Sequence, residues 1–285
     1  MSYSTIDYEV EDSILTITLN RPSVLNAFNG DMLNELLDAC DRADADDDVK
    51  AIIFTGAGKA YCAGADLSRG ADTFNSDARE DRPSSLNRDG GGRLTLRLFE
   101  LNKPAIAAIN GAAVGIGVTM TLAMDIRLAS TPARFGFVFA RRGIVPEACS
   151  SYFLPRIVGI SKALEWCYSG KVFPAQEALA GGLVRSLHEP EDLMPAARAI
   201  ACEIRDHTAP VSVTLTRHMM WRMLGADHPM EAHAIDSRGV YYRGKSDDAQ
   251  EGVSSFLEKR GAVFPNQVSK DMPPYFPWWE EEHFS

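Results

Sequence analysis

The pattern that most restricts the fold is a strand–helix–strand order that recurs in short runs. "SILTITLN" alternates, with Leu15, Ile17 and Leu19 on one face and threonines on the other, which is strand periodicity. "DMLNELLDACDRAD" places Leu33, Leu36, Leu37 and Cys40 at helical spacing, opened by a polar "NG" and closed by acidic residues. "KAIIFTG" is a short apolar strand that ends at glycine. The same order returns with "PAIAAIN", a helix between Gly115 and Met124, and "IRLAS". Such a chain stacks β and α layers. Its 285 residues, 45% of them hydrophobic, suffice for a large core in one big domain or in one domain plus an appendage.

Two stretches depart from this rhythm. Ser68 to Arg93 is polar, charged and glycine-rich, and reads as a mobile loop beside something functional. Beyond Ser161 strand signals fade and helical ones dominate, as in "LMPAARAIACEIRDH" and "PVSVTLTRHMMWRML". The chain therefore reads as a core over 1–200 and a C-terminal helical region over 201–285. The latter ends in an aromatic tail, "PPYFPWWEEEHFS", whose Trp278 and Trp279 are expected to pack on their own chain or on a neighbouring subunit.

Several functions are disfavoured. A net charge of -10 with no basic run argues against nucleic acid or an acidic membrane surface as a partner, while leaving room for a local basic pocket. The uncharged stretch from Pro104 to Met124 contains Asn110 and several glycines, and reads as a strand and a buried helix rather than a membrane span. Five dispersed cysteines without a CxxC suggest neither disulfides nor zinc, and reduced thiols imply a cytoplasmic protein. The acidic N-terminal residues do not read as an export signal, nor "EHFS" as a peroxisomal address of the SKL type. "GAGK" lacks the spacing of a P-loop and "GIG" the third glycine of a dinucleotide fingerprint. The histidines, all from His188 onward, read as packing or surface residues.

Two glycine-flanked segments remain. "AYCAGADL" follows a strand and "INGAAVGIGVTM" joins a strand to a helix. Small residues let a ligand approach the backbone, where free N–H groups can bind an oxygen that gains negative charge. Tight helix–sheet packing explains the same glycines equally well. A glutamate stands out in "RRGIVPEACSSYFLPR". Pro146 predicts a helix that starts at or near it, with Glu147 in the first turn. There Glu147 would either complement the helix dipole or do chemistry.

Taken in order, "LTITLNRPSVLNAF", "AYCAGADL", "KPAIAAINGAAVGIGVTMTLAMDIRLAS", "FGF" and "EGVSSFLEKR" resemble the crotonase, or enoyl-CoA hydratase/isomerase, superfamily from about Ile14 to Phe264. That resemblance implies an α/β fold, a spiral of ββα repeats with a C-terminal helical trimerisation region, assembled as a homotrimer or a dimer of trimers. It implies an acyl-CoA thioester substrate, with coenzyme A part of that substrate and no separate cofactor. Oxyanion-hole amides carry over to Ala65 and Ile116. For the CoA moiety the resemblance offers the loops that hold Ala27, Ala63, Asp66 and Leu67, and Lys259, whose counterpart reaches the nucleotide from an adjacent subunit.

Where family hydratases carry two glutamates, this sequence has Thr119 and Phe139, neither able to accept a proton. Glu147 instead matches the single glutamate of the peroxisomal-type 3,2-enoyl-CoA isomerases, whose "GIxVT" and "PEGCSS"-like segments resemble "GIGVT" and "PEACSS". The implied activity is double-bond isomerisation by one proton-shuttling glutamate. Ile144, Val145 and Phe139 are the expected apolar neighbours that raise its basicity, against the opposing pull of the helix start. Asp66 is expected to cap the helix after its loop. Two alternatives stand: an atypical hydratase, or other CoA-thioester lyase or hydrolase, that uses Glu147 with a water; and a non-catalytic acyl-CoA-binding protein.

Overall fold

The computed structural model describes residues 3–75, 88–280 and 282–284. In chain order the strands and helices are β1 (Ile6–Glu11), β2 (Ile14–Leu19), α1 (Gly30–Ala45), β3 (Ala51–Gly56), β4 (Ala60–Cys62), α2 (Gly90–Phe99), β5 (Ala105–Ile109), β6 (Ala112–Val114) and α3 (Ile116–Thr119). There follow β7 (Ile126–Ser130), β8 (Arg134–Gly136), α4 (Ser150–Val158), α5 (Ile160–Ser169), β9 (Val172–Pro174), α6 (Ala175–Ala180) and β10 (Ser186–His188). Four helices follow β10, ahead of the tail: α7 (Pro190–His207), α8 (Pro210–Met223), α9 (Pro229–Arg243) and α10 (Asp247–Glu258).

The strands form a six-stranded sheet, β1-β2-β3-β5-β7-β10, and a four-stranded sheet, β4-β6-β8-β9. In each of the pairs β3/β4, β5/β6 and β7/β8 the first strand enters the large sheet and the second the small one, which is the repeat of a crotonase-like spiral. Only β1 with β2, and β8 with β9, run antiparallel. The parallel strands β3 and β5 are buried on both faces, which explains their nearly unbroken apolar runs. Period-two alternation splits their side chains. Ile52 and Phe54 face the main core, while Ala51 and Ile53 face a second cluster that α7 covers through Leu193, Ala197 and Ala201.

Two expectations need correction. Strands do not stop near Ser161, since β9 and β10 complete the two sheets; each is only three residues long, too short for periodicity to show. Nor is Ser68 to Arg93 one loop: a 3₁₀ turn spans Gly70–Phe74 and α2 begins at Gly90, while residues 76–87 lie outside the described residues. The Asp89 carboxylate caps α2 by accepting from the Gly92 amide, and Leu94 and Leu98, one turn apart, bury its inner face.

The helical region is tied to the core by a buried guanidinium. Arg217 on α8 donates to the carbonyls of Leu98, Phe99 and Leu101 at 2.7–2.8 Å, and its Nε pairs with Asp125 at 3.0 Å. The tail packs on the same helix: the Trp279 ring lies 4.9 Å from that of His218 and beneath the Arg222 guanidinium. All five cysteines are free thiols, and no helix among the described residues is long and apolar enough to cross a membrane.

Candidate active site

The site grows from two parallel neighbours. Parallel strands β4 and β6 pair at Ala60 with Ala112 and at Cys62 with Ala113, with a register shift between the two pairs, and the segments that leave their C-terminal ends emerge side by side. One holds Ala63 to Leu67, the other Gly115 and Ile116. Contact is close enough that a Cβ at Gly117 would collide with the Cys62 carbonyl oxygen, so glycine is required there for α3 to seat against β4.

Two backbone amides are left over at this junction. Phe28 forms a parallel bridge with Ala65: its amide donates to the Gly64 carbonyl and its carbonyl accepts from Asp66. Ladder geometry therefore points the Ala65 N–H away from Phe28. Ile116 opens α3 and its N–H has no partner within the helix. No acceptor among the described residues takes either N–H.

The loop from Arg21 to Phe28 and that from Ala63 to Leu67 are zipped together. The Ala63 amide donates to Leu25, and Arg21 donates to the Ala27 carbonyl while pairing with Asp66 at 2.9 Å. Ala27, Ala63, Asp66 and Leu67 are thus adjacent, with Leu67 exposed. Asp66 caps no helix, contrary to expectation. Its carboxylate accepts from the Ser68 amide at 3.0 Å in a local turn, and that bond, with help from Arg21, holds it below the usual carboxylate range. Lys259 lies elsewhere, exposed at the C-terminal cap of α10.

Glu147 departs most from expectation. It precedes α4 by three residues instead of occupying a first turn, because Ala148 and Cys149 both adopt left-handed backbone with φ of 54°. This turn sends the Ala148 methyl and the Glu147 carboxylate inward. Ala148 is fully buried and Glu147 partly so. The Thr119 hydroxyl donates to Glu147 Oε1 at 2.5 Å, one helical turn from the Ile116 amide. Oε2 abuts α2 at Gly91, where an added Cβ would strike Oε2, Ile116 Cδ1 and Ala148 Cβ together.

Burial pushes Glu147 up to about 7; the Thr119 hydrogen bond opposes that rise and the nearby Asp89 charge adds to it. Desolvation thus prevails over stabilisation of the ionised form. Phe139 is buried in the core, but Val145 is 77% exposed and is no part of an apolar lining. Thr119, noted in the sequence as a lost acid, is the direct partner of Glu147. Two neighbours escaped the sequence reading. Asp89 was legible as a helix cap, an aspartate followed by "GGG" and then "RLTLRLF" at helical spacing. Gly91 carried no signal apart from its place in that run. The assembly puts a basic carboxylate, fixed on one side, beside the first amide of a helix. Such a carboxylate can take up and return a proton at neutral pH.

Comparison with known proteins bears on the substrate. The family model described as enoyl-CoA hydratase/isomerase matches residues 9–267. The chain is 41% identical over 264 residues to the enoyl-CoA hydratase ACTT3 of Alternaria alternata, covering 92% of this chain and 86% of that protein. It is 32% identical over 262 residues to the 1,2-epoxyphenylacetyl-CoA isomerase of Escherichia coli, covering 90% and 96%. Among solved structures, the enoyl-CoA hydratase from Bacillus anthracis superposes with a TM-score of 0.80 at 29% identity, over 92% of this chain and 99% of that one.

Proposed function

The chain belongs to the enoyl-CoA hydratase/isomerase family, and on that premise we propose that it shifts the double bond of a 3-enoyl-CoA to C2 with Glu147 as the only proton carrier. Glu147 takes a proton from C2, and the electrons of that bond move through C1 onto the thioester oxygen. The resulting dienolate collapses to a C2–C3 double bond as Glu147 returns the proton at C4. The amides of Ala65 and Ile116 are the donors to the oxyanion, each worth roughly 3–4 kcal/mol in such a role. The carrying observation is the inward-facing Glu147, held by Thr119 and raised to about 7, in a chain with Thr119 and Phe139 at the hydratase acid positions. This single-glutamate pattern is the one that the peroxisomal-type 3,2-enoyl-CoA isomerases share.

In this reading Ala27, Ala63, Asp66 and Leu67 border the CoA moiety and Lys259 serves the site of an adjacent subunit. The spiral core, 1–200, carries the chemistry and the region 201–285 builds a homotrimer, or a dimer of trimers. Exposed apolar residues on α9 and α10, among them Val240, Phe256 and Leu257, support such an interface.

Because Glu147 must be ionised to accept the C2 proton, kcat/KM for isomerisation is expected to rise with pH and level off above about 7. A pH–rate profile checks this, and a flat profile from pH 5 upward would refute it. Gly91→Ala is expected to lower kcat by about 10²-fold, since its Cβ displaces the Glu147 carboxylate and Ile116 together. Steady-state kinetics beside a thermal melt separate this from unfolding, because the overpacking at Gly91 lowers the melting midpoint while kcat is read on the enzyme that remains folded.

A second reading is hydration of a 2-enoyl-CoA by water held on Glu147, favoured by the names of the Alternaria relatives, which are enoyl-CoA hydratases. Supplying 3-enoyl-CoA and 2-enoyl-CoA in separate assays distinguishes the two.

A further inference from the structure

We propose that Asp89 is a positioning residue for Glu147, latching the left-handed turn at Ala148 and Cys149 to the start of α2. The inference rests on the reading of Glu147 as the base. A helix cap alone would need only the bond from the Gly92 amide, but the same Oδ1 also accepts from the Ala148 amide at 3.3 Å. That second bond reaches the residue next to Glu147. Two consecutive left-handed residues with side chains are costly and persist only where the surroundings hold them. Here one hold is the burial of the Ala148 methyl, and the other is Asp89.

The latch also sets the second wall of the site. Thr119 fixes Oε1 from α3, while Gly91, two residues after Asp89, abuts Oε2 from α2. Asp89 thereby joins the helix that carries Gly91 to the loop that carries Glu147, and leaves the carboxylate one position between α2 and α3. Among the described residues, the titratable groups coupled to Glu147 are Asp89 at the start of α2, Cys62 on β4 and Cys149 on the loop, and Arg88 acts on Cys149. Burial raises both thiols above their usual range, Cys62 to about 12, so they are uncharged at neutral pH. The negative charge that acts on Glu147 is that of Asp89.

The test compares full-length wild type, Asp89→Ala and Asp89→Asn in isomerisation of a 3-enoyl-CoA across the pH range, with thermal melts of each. Asp89→Ala is expected to lose about 10²-fold in kcat with KM little changed, as misplacement of a base does. Asp89→Asn keeps an acceptor for both amides and is expected to recover most of that loss. Its rise in rate with pH should begin lower than in wild type, because a neutral amide no longer helps Glu147 retain its proton. Wild-type kcat in Asp89→Ala, or an unmoved pH profile in Asp89→Asn, would overturn the proposal. If Asp89→Ala fails to fold, Asp89→Asn decides by its profile alone. Glu147→Gln is run alongside: retained isomerisation there removes the base and the latch together, whereas an inactive Glu147→Gln with a wild-type-like Asp89→Ala removes the latch only.

Discussion

Glu147→Gln is expected to reduce isomerisation by about 10²- to 10⁴-fold, the range in which a positioned general base contributes. Glutamine has the same shape, its carbonyl oxygen can still accept from Thr119, and the left-handed turn after it is untouched, so the loss is one of chemistry. Stability should move the other way. The folded carboxyl is raised from 4.5 to about 7, so ionising it costs free energy only in the folded state. That cost is absent below the unfolded value, grows between the two, and is complete above about 7, at about 1.4 kcal/mol for each unit of upward shift. Glu147→Gln should therefore melt with wild type at low pH and above it at pH 8. A variant that melts lower at pH 8 would show that the carboxylate is stabilising and that the burial argument is mistaken.

Arg217→Met should have the largest effect on folding. The guanidinium serves three carbonyls at the end of α2 and pairs with Asp125, which itself accepts from the Ala105 amide and the Trp221 indole. Methionine fills the space but leaves a partly buried carboxylate without its cation, a change that typically costs about 3–5 kcal/mol. For a chain of this size the midpoint of a thermal melt should fall by roughly 10 °C. A fall of less than about 2 °C would mean that water or another donor replaces the guanidinium. The same residue ties stability to function, since α2 is held at its far end by Arg217 and presents Asp89 and Gly91 to Glu147 at its near end.

The layered fold was readable because buried parallel strands write unbroken apolar runs, as "AIIF" and "AIAAI" do, and because glycines mark the two close approaches beside β4 and β6. β9 and β10 were not, since three residues carry no period. Glu147 was legible by residue type and by resemblance, but its local structure was not. Pro146 predicts a helix start, and what delays α4 to Ser150 is the burial of Ala148 against α2, a contact between segments far apart in sequence. The same limit hid the partnership of Thr119 with Glu147 and turned Asp66 from a helix cap into the partner of Arg21. Local propensity reads caps and strands; it does not read which loop meets which.

The central claim is that one carboxylate moves a proton from C2 to C4. Its most direct test supplies the wild-type enzyme with a 3-enoyl-CoA deuterated at C2 and locates the label in the product by mass spectrometry and NMR. A 2-enoyl thioester that carries part of the deuterium at C4 is the predicted result. An unreacted 3-enoyl thioester, with a parallel sample of 2-enoyl-CoA converted to the 3-hydroxyacyl thioester, would contradict it and make Glu147 the base of a hydratase.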